Sequence, residues 1–186
     1  MDRRPIRWRN PGSGTVVLLL TAIWVFVSAA ALRLGPYPEL AELTGGRFLE
    51  ATFGWGPRLA SDLLASLGSE GREVYLQYQV VDLLVAGFTA LLLVTVVQWA
   101  VGRVAGSESE WHNLALLPLA ALALELVENV SLFVLAFFHP SVPGLFVSLG
   151  SWATRGKLLV GTVAVLAVVA AVVVAWGRMW EERGEW

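Results

Sequence analysis

The chain has 186 residues, of which 56% are hydrophobic and 15% charged, and its formal net charge is -2. That balance lies outside the soluble-globular norm and offers no basic surface of the kind nucleic acid demands. Cysteine is absent, which excludes disulfide frameworks, thiolate metal sites and thiol redox catalysis together.

The apolar residues come in blocks rather than amphipathic stripes, and four blocks reach the ~20 residues a membrane-spanning helix needs. They place spans at about 15–34, 74–101, 114–138 and 151–176, with one sizeable outer loop over 35–73. The fold class expected is all-α: a single membrane-embedded four-helix domain with a short amphipathic helix in its first outer loop.

The first span follows a basic tail carrying Arg3, Arg4, Arg7 and Arg9. A basic tail, an apolar run and Ala29-Ala30-Ala31 also fit a secretory signal with its cleavage site. The length of the run and Trp24 within it favour an uncleaved span.

In the loop, Pro36, Pro38, Gly45, Gly46, Gly54, Gly56 and Pro57 break the chain repeatedly, which predicts turns more than a fold of its own. Leu59, Leu63, Leu64 and Leu67 nevertheless recur at helical spacing opposite Arg58, Asp62 and Ser66, the pattern of an amphipathic helix that covers the bundle. Ser69 is a candidate cap for a second span starting near Glu70, and Ser107 with Glu110 has capping-box spacing ahead of the third. Pro118 is placed to kink the third span, and Ala86 to Ala90 gives the second a small-residue packing face.

Basic residues set an orientation. The N-terminal tail, Arg103, Arg178 and Arg183 fall in short segments that belong on one face, the cytoplasmic one under the positive-inside rule. Both termini are therefore expected inside. Trp99, Trp111, Trp176 and Trp180 are expected at the inner interface, and Trp55 and Trp152 at the outer. Of the 13 basic residues only Lys157 is Lys. This skew toward Arg reads as a GC-rich prokaryotic genome, hence a prokaryotic cytoplasmic membrane.

Chemistry, if present, resides in polar residues inside the spans, where ionisable groups are costly and mark functional sites by default. Glu125, Glu128 and Asn129 share one face of the third span, and Tyr75, Tyr78, Gln79 and Asp82 form a similar stripe on the second. At 1.5 Å rise per residue, Lys157 lies about 9 Å, Asp82 about 12 Å and Glu128 about 15 Å from the outer ends of their spans. These depths predict one polar cluster of Asp82, Glu125, Glu128, Asn129 and Lys157, with Tyr75 and Tyr78 above it. Three acids then face one Lys, so either a carboxyl keeps its proton or a cation neutralises it. A buried acid–Lys pair that only fixes helix register is the competing explanation.

His112 and His139 fall on opposite faces and form no metal pair, and neither a phosphate-cradling glycine loop nor a nucleophile elbow is present. No metal and no cofactor are expected. The segment Phe53-Gly54-Trp55 to Ser69-Glu70-Gly71-Arg72-Glu73-Val74-Tyr75-Leu76, then Asp82, then Leu116-Leu117-Pro118, Glu125-Leu126-Val127-Glu128-Asn129, Thr154 and Lys157, resembles a pattern in small four-span bacterial membrane proteins. In that pattern the first acid of the pair is often Asp, where this chain has Glu125. The resemblance implies the same span count and the same polar residues, and it brings no activity. A looser similarity is to four-span sterol isomerase and sigma-2 receptor folds, where intramembrane acids hold an amine or stabilise a carbocation. It is an analogy resting on acids in helices alone.

The functional expectation is a protein that binds or moves a small ligand, cation or proton at this carboxylate cluster. The alternatives are a structural subunit of a membrane complex and a lipid-modifying, isomerase-like enzyme. The partners expected are the lipid bilayer and a small cationic or lipidic ligand, with a second copy or a complex subunit in the structural case.

Overall fold

A computed structural model describes residues 13–106 and 108–184, and its elements are helical throughout. They are α1 Gly14–Leu34, α2 Tyr37–Thr44, α3 Pro57–Ser66, α4 Gly68–Val104, a 3-10 segment Glu110–Ala115, α5 Leu116–Phe137 and α6 Gly144–Gly184. Four helical stretches, Gly14–Leu34, Gly68–Val104, Glu110–Phe137 and Gly144–Arg178, are long and apolar enough to cross a membrane. The fold is an all-α helical bundle. The N-terminal arginines and Ser107 lie outside the described residues.

Local chemistry sets the helix ends. The Ser13 side chain accepts from the Val16 N–H to cap α1, and Pro57 opens α3, where a missing N–H is harmless. Gly68, with φ of 65°, turns the chain from α3 directly into α4. Ser69 therefore already lies inside the first turn of α4 and does not cap it, contrary to its sequence context. The fourth long helix starts seven residues earlier than its apolar block, at Gly144 rather than 151. The Pro143 carbonyl accepts from the N–H groups of Phe146 and Val147 and initiates it. Pro118 falls in the first turn of α5, straight after the 3-10 segment, where proline costs no helical hydrogen bond and makes no kink.

Helices α4, α5 and α6 pack mutually, whereas α1 lies chiefly against α4. No residue of α1 is buried. Its polar tie to the bundle is the Trp24 indole, which donates to Thr89 Oγ1 at 2.8 Å.

The segment between α1 and α4 departs most from its sequence reading. It contains two helices rather than one, and its apolar side chains join a core with α4, α5 and α6. Leu40, Leu49, Trp55, Leu64, Tyr75 and Leu135 are buried together there. Trp55 is thus not an interfacial belt residue: its side chain is held inside the bundle, whereas Trp152 is 68% exposed. On α3, Leu63, Leu64 and the following Leu67 are buried as their spacing predicts, but Leu59 is exposed and Ala60 takes the buried position in its turn. Arg58 pairs with Asp62 on the outward side at 3.9 Å.

At the opposite end His112 is buried against α4. Its Nδ1 lies 2.5 Å from Gln98 Oε1 and its Nε2 3.1 Å from the Gly106 carbonyl. The Gln98 amide also donates to the His112 carbonyl at 3.3 Å. This is a packing bridge, and among the described residues no group of acids, histidines or cysteines is placed to hold a metal.

Candidate functional site

The cluster forms where α4, α5 and α6 face one another. Glycines on α6 permit the close approach: a Cβ on Gly156 would lie 3.1 Å from a Leu124 methyl of α5. From the observed helix ends, Asp82, Lys157, Glu125 and Glu128 are about 21, 20, 18 and 14 Å deep at 1.5 Å per residue. Asp82 and Lys157 lie deeper than their apolar blocks place them, Glu125 and Glu128 slightly shallower, and the levels are now closer together.

Lys157 is the hub. Its Nζ lies 3.0 Å from Glu125 Oε1 and pairs with Glu128 Oε2. Glu128 has no exposed surface. Its second oxygen accepts from Thr154 Oγ1 at 2.5 Å, and Thr154 in turn accepts from the Trp55 indole at 3.0 Å. The Trp55 backbone N–H donates to Ser151 Oγ at 3.0 Å, so two turns of α6 hold the cap segment over the cluster. Asn129 Nδ2 donates to the carbonyl and the Oε1 of Glu125, at 3.1 and 2.9 Å, and fixes that carboxylate from its own helix.

Asp82 comes from the other side. Its carboxyl neighbours that of Glu125 in the lining of one cavity, and it takes no ion-pair contact from Lys157. Two neighbouring carboxyls in a poorly hydrated site cannot both be ionised without a counter-charge. Asp82, Glu125 and Lys157 form the polar end of a cavity of about 370 Å³, whose remaining wall is apolar except for Thr89 and includes Ala86, Leu122 and Val165. Of the small residues of α4 that read as a packing face, Ala90 is buried and both Ala86 and Ala90 also line this cavity.

Tyr75 and Tyr78 lie one to two turns above Asp82 on α4. Tyr75 is fully buried and donates to Glu50 Oε2 at 3.1 Å, while Gln79 donates to Glu50 Oε1 at 3.4 Å. Tyr78 stacks in an aromatic group with Tyr37, Phe48 and Tyr75. Glu50 is a fourth buried acid, within electrostatic range of Lys157 and Glu125. Burial pushes its carboxyl above the usual carboxylate range, against smaller lowering effects of its hydrogen bonds and of Lys157.

The structure therefore gathers Glu125, Glu128, Asn129 and Lys157 into direct contact and sets Asp82 beside Glu125. Tyr75 and Tyr78 contact the cap, not the ion pairs. Sequence reasoning missed Glu50, Trp55 and Thr154 as parts of the arrangement. Thr154 had a signal, being one helical turn before Lys157. Glu50 had none, because it follows Leu49 in an aperiodic stretch.

Four helices long and apolar enough to cross a bilayer, three of them enclosing such a cluster, mark an integral membrane protein. Comparison of the chain with protein-family models, with curated proteins and with solved structures finds no match in any of the three.

Proposed function

We propose that the α4–α5–α6 cavity binds a small lipophilic cation in exchange for a proton held between Asp82 and Glu125. One observation carries this reading: the single ammonium is in direct contact with Glu125 and Glu128, which leaves the Asp82 carboxyl without an ion-pair contact of its own at the polar end of a largely apolar cavity. A cation with an alkyl tail matches both the charge and the wall. Its entry displaces the shared proton, because the site then holds the counter-charge that two adjacent carboxylates need. Such a site serves binding or proton-coupled movement equally.

The cluster divides into two limbs with different work. Glu128, with no exposed surface and bound by Lys157 and Thr154, suits a structural lock that fixes α5 against α6. Asp82 and Glu125 form the exchangeable limb. On the distribution of Arg, the same reading places both termini on the cytoplasmic side of a prokaryotic membrane.

Titration of the full-length protein in mild detergent with octylammonium and with octanol tests the exchange. The amine should bind with release of up to one proton, more weakly as pH falls, and Asp82→Asn should abolish both binding and proton release. Equal binding of octanol, or amine binding unchanged in Asp82→Asn, would overturn it.

A further inference from the structure

At the end of the bundle remote from the acid cluster, a second cavity of about 580 Å³ opens between α4, the 3-10 segment and α6. Its wall is made of small and branched apolar residues, among them Ala100 and Val104 from α4, Leu114, and Ala170 and Val174 from α6. Alanine-lined helices normally close on each other. Here Leu114 and Ala115 of the 3-10 segment pack against Val97, Val101 and Val168 at the same crossing. The groove stays open beside that contact. Its size falls within the range of ordinary ligand sites.

The polar group at the mouth of this groove is Arg178. Its guanidinium donates from Nη1 to the Val104 carbonyl, a free acceptor at the end of α4. Arg178 is exposed, and none of the ion pairs among residues whose side chains the structure describes includes it. A guanidinium has five N–H donors in a fork that matches phosphate oxygens. Trp111 also lines the groove and is 63% exposed, and Trp176 and Trp180 on α6 are similarly exposed at this level. Indoles so placed are those of a membrane–water interface. The groove therefore runs from hydrocarbon depth up to an exposed cation at headgroup depth.

We propose that this groove is a binding site for an anionic phospholipid, with one acyl chain lying along the alanines of α4 and α6 and the phosphate on Arg178. An apolar wall alone would take any hydrocarbon chain. The guanidinium at its mouth selects a lipid whose headgroup carries net negative charge over one whose phosphate is already neutralised by choline. The site shares no residue with the acid cluster, so its fate is independent of the cation-exchange reading.

The test is native mass spectrometry of the full chain in mild detergent with equimolar 1-palmitoyl-2-oleoyl phosphatidylglycerol and the matching phosphatidylcholine. Phosphatidylglycerol should be retained roughly fivefold over phosphatidylcholine, the ratio expected for one basic residue near the headgroup. Arg178→Gln, at an exposed position that leaves folding intact, should bring the two lipids to parity. Ala170→Phe, which fills the groove, should reduce retention of both, with unchanged circular dichroism confirming the fold. Should Ala170→Phe misfold, Ala171→Phe serves the same purpose from the neighbouring position. Equal retention of the two lipids by the unmodified chain would overturn the proposal, and so would a preference that survives Arg178→Gln. Retention indifferent to groove filling would equally overturn it, since the lipid would then be held by surface charge alone.

Discussion

Trp55 and Thr154 are separated by 99 positions in sequence, yet the indole of the first donates to the hydroxyl of the second at 3.0 Å. The Thr154 hydroxyl in turn donates to Glu128 Oε1. The cap segment, the start of α6 and the most buried carboxylate of the bundle are thereby joined through one hydroxyl. Loss of that hydroxyl in Thr154→Val leaves the indole N–H and a Glu128 oxygen unsatisfied in the interior, at a cost of about 1–3 kcal/mol each at most. In a double-mutant cycle with Trp55→Phe, unfolding measurements in detergent should show a coupling of about 0.5–3 kcal/mol. Additive effects would show that the chain of hydrogen bonds does not act as a unit.

Gly150 faces the same indole. A Cβ there would lie 2.7 Å from the Trp55 ring and 3.0 Å from the Ser131 Cβ. In an exposed helix interior Gly→Ala gains roughly 1 kcal/mol of helix propensity. At this position the ring must move, and the Trp55–Thr154 bond moves with it. Gly150→Ala should therefore lower the melting temperature in detergent rather than raise it, and Trp55→Phe should mask much of that loss.

Lys157 is the sole cation for the Glu128 and Glu125 carboxylates among the described residues. Lys157→Met leaves Glu128 buried and unpaired, which costs about 3–5 kcal/mol where one partner of a buried pair is removed. Lys157→Met combined with Glu128→Met replaces the pair by apolar groups and should recover most of that stability. A double variant as unstable as the single one would show that the lock owes its strength to something other than charge compensation.

Glu50 provides the pH dependence. Its carboxyl is held above the usual carboxylate range by burial, so the folded state binds its proton more tightly than the unfolded chain does. The stability this residue contributes is therefore complete below the unfolded value of about 4.3 and is lost as pH rises through the folded value. Glu50→Gln removes that loss. Its melting temperature should exceed that of the unmodified chain at neutral pH, and the difference should shrink toward pH 4. A difference independent of pH would assign Glu50 a purely hydrogen-bonding role.

Much of this architecture is legible in the order of residues, because lipid imposes strong local rules. Helix-length apolar blocks and polar stripes at three- and four-residue spacing locate the spans and place Asp82, Glu125, Glu128 and Lys157 at matching depth. Local pattern does not extend to contacts made across the fold. Trp55 reads as an interfacial residue until α6 is seen to supply Ser151 and Thr154 to hold it inside. Glu50 sits in a stretch dense with Gly and Pro, where no periodicity distinguishes a buried carboxyl from a solvated one. The starts of α4 and α6 lie ahead of their apolar blocks for a related reason: the turns that begin them, at Gly68 and at Pro143-Gly144, stand outside the apolar runs that mark the spans.

The placement of Lys157 also dictates an order of events during synthesis. Helix α5 leaves the ribosome before α6, so Glu125 and Glu128 exist as a membrane-bound segment before their counter-charge has been made. An ionised pair of carboxylates is strongly disfavoured in hydrocarbon. The nascent α5 must therefore enter the bilayer with its acids protonated, or wait beside the insertion machinery until the residues after Pro143 have followed. A chain arrested between the two helices is the intermediate on which quality control has the best opportunity to act.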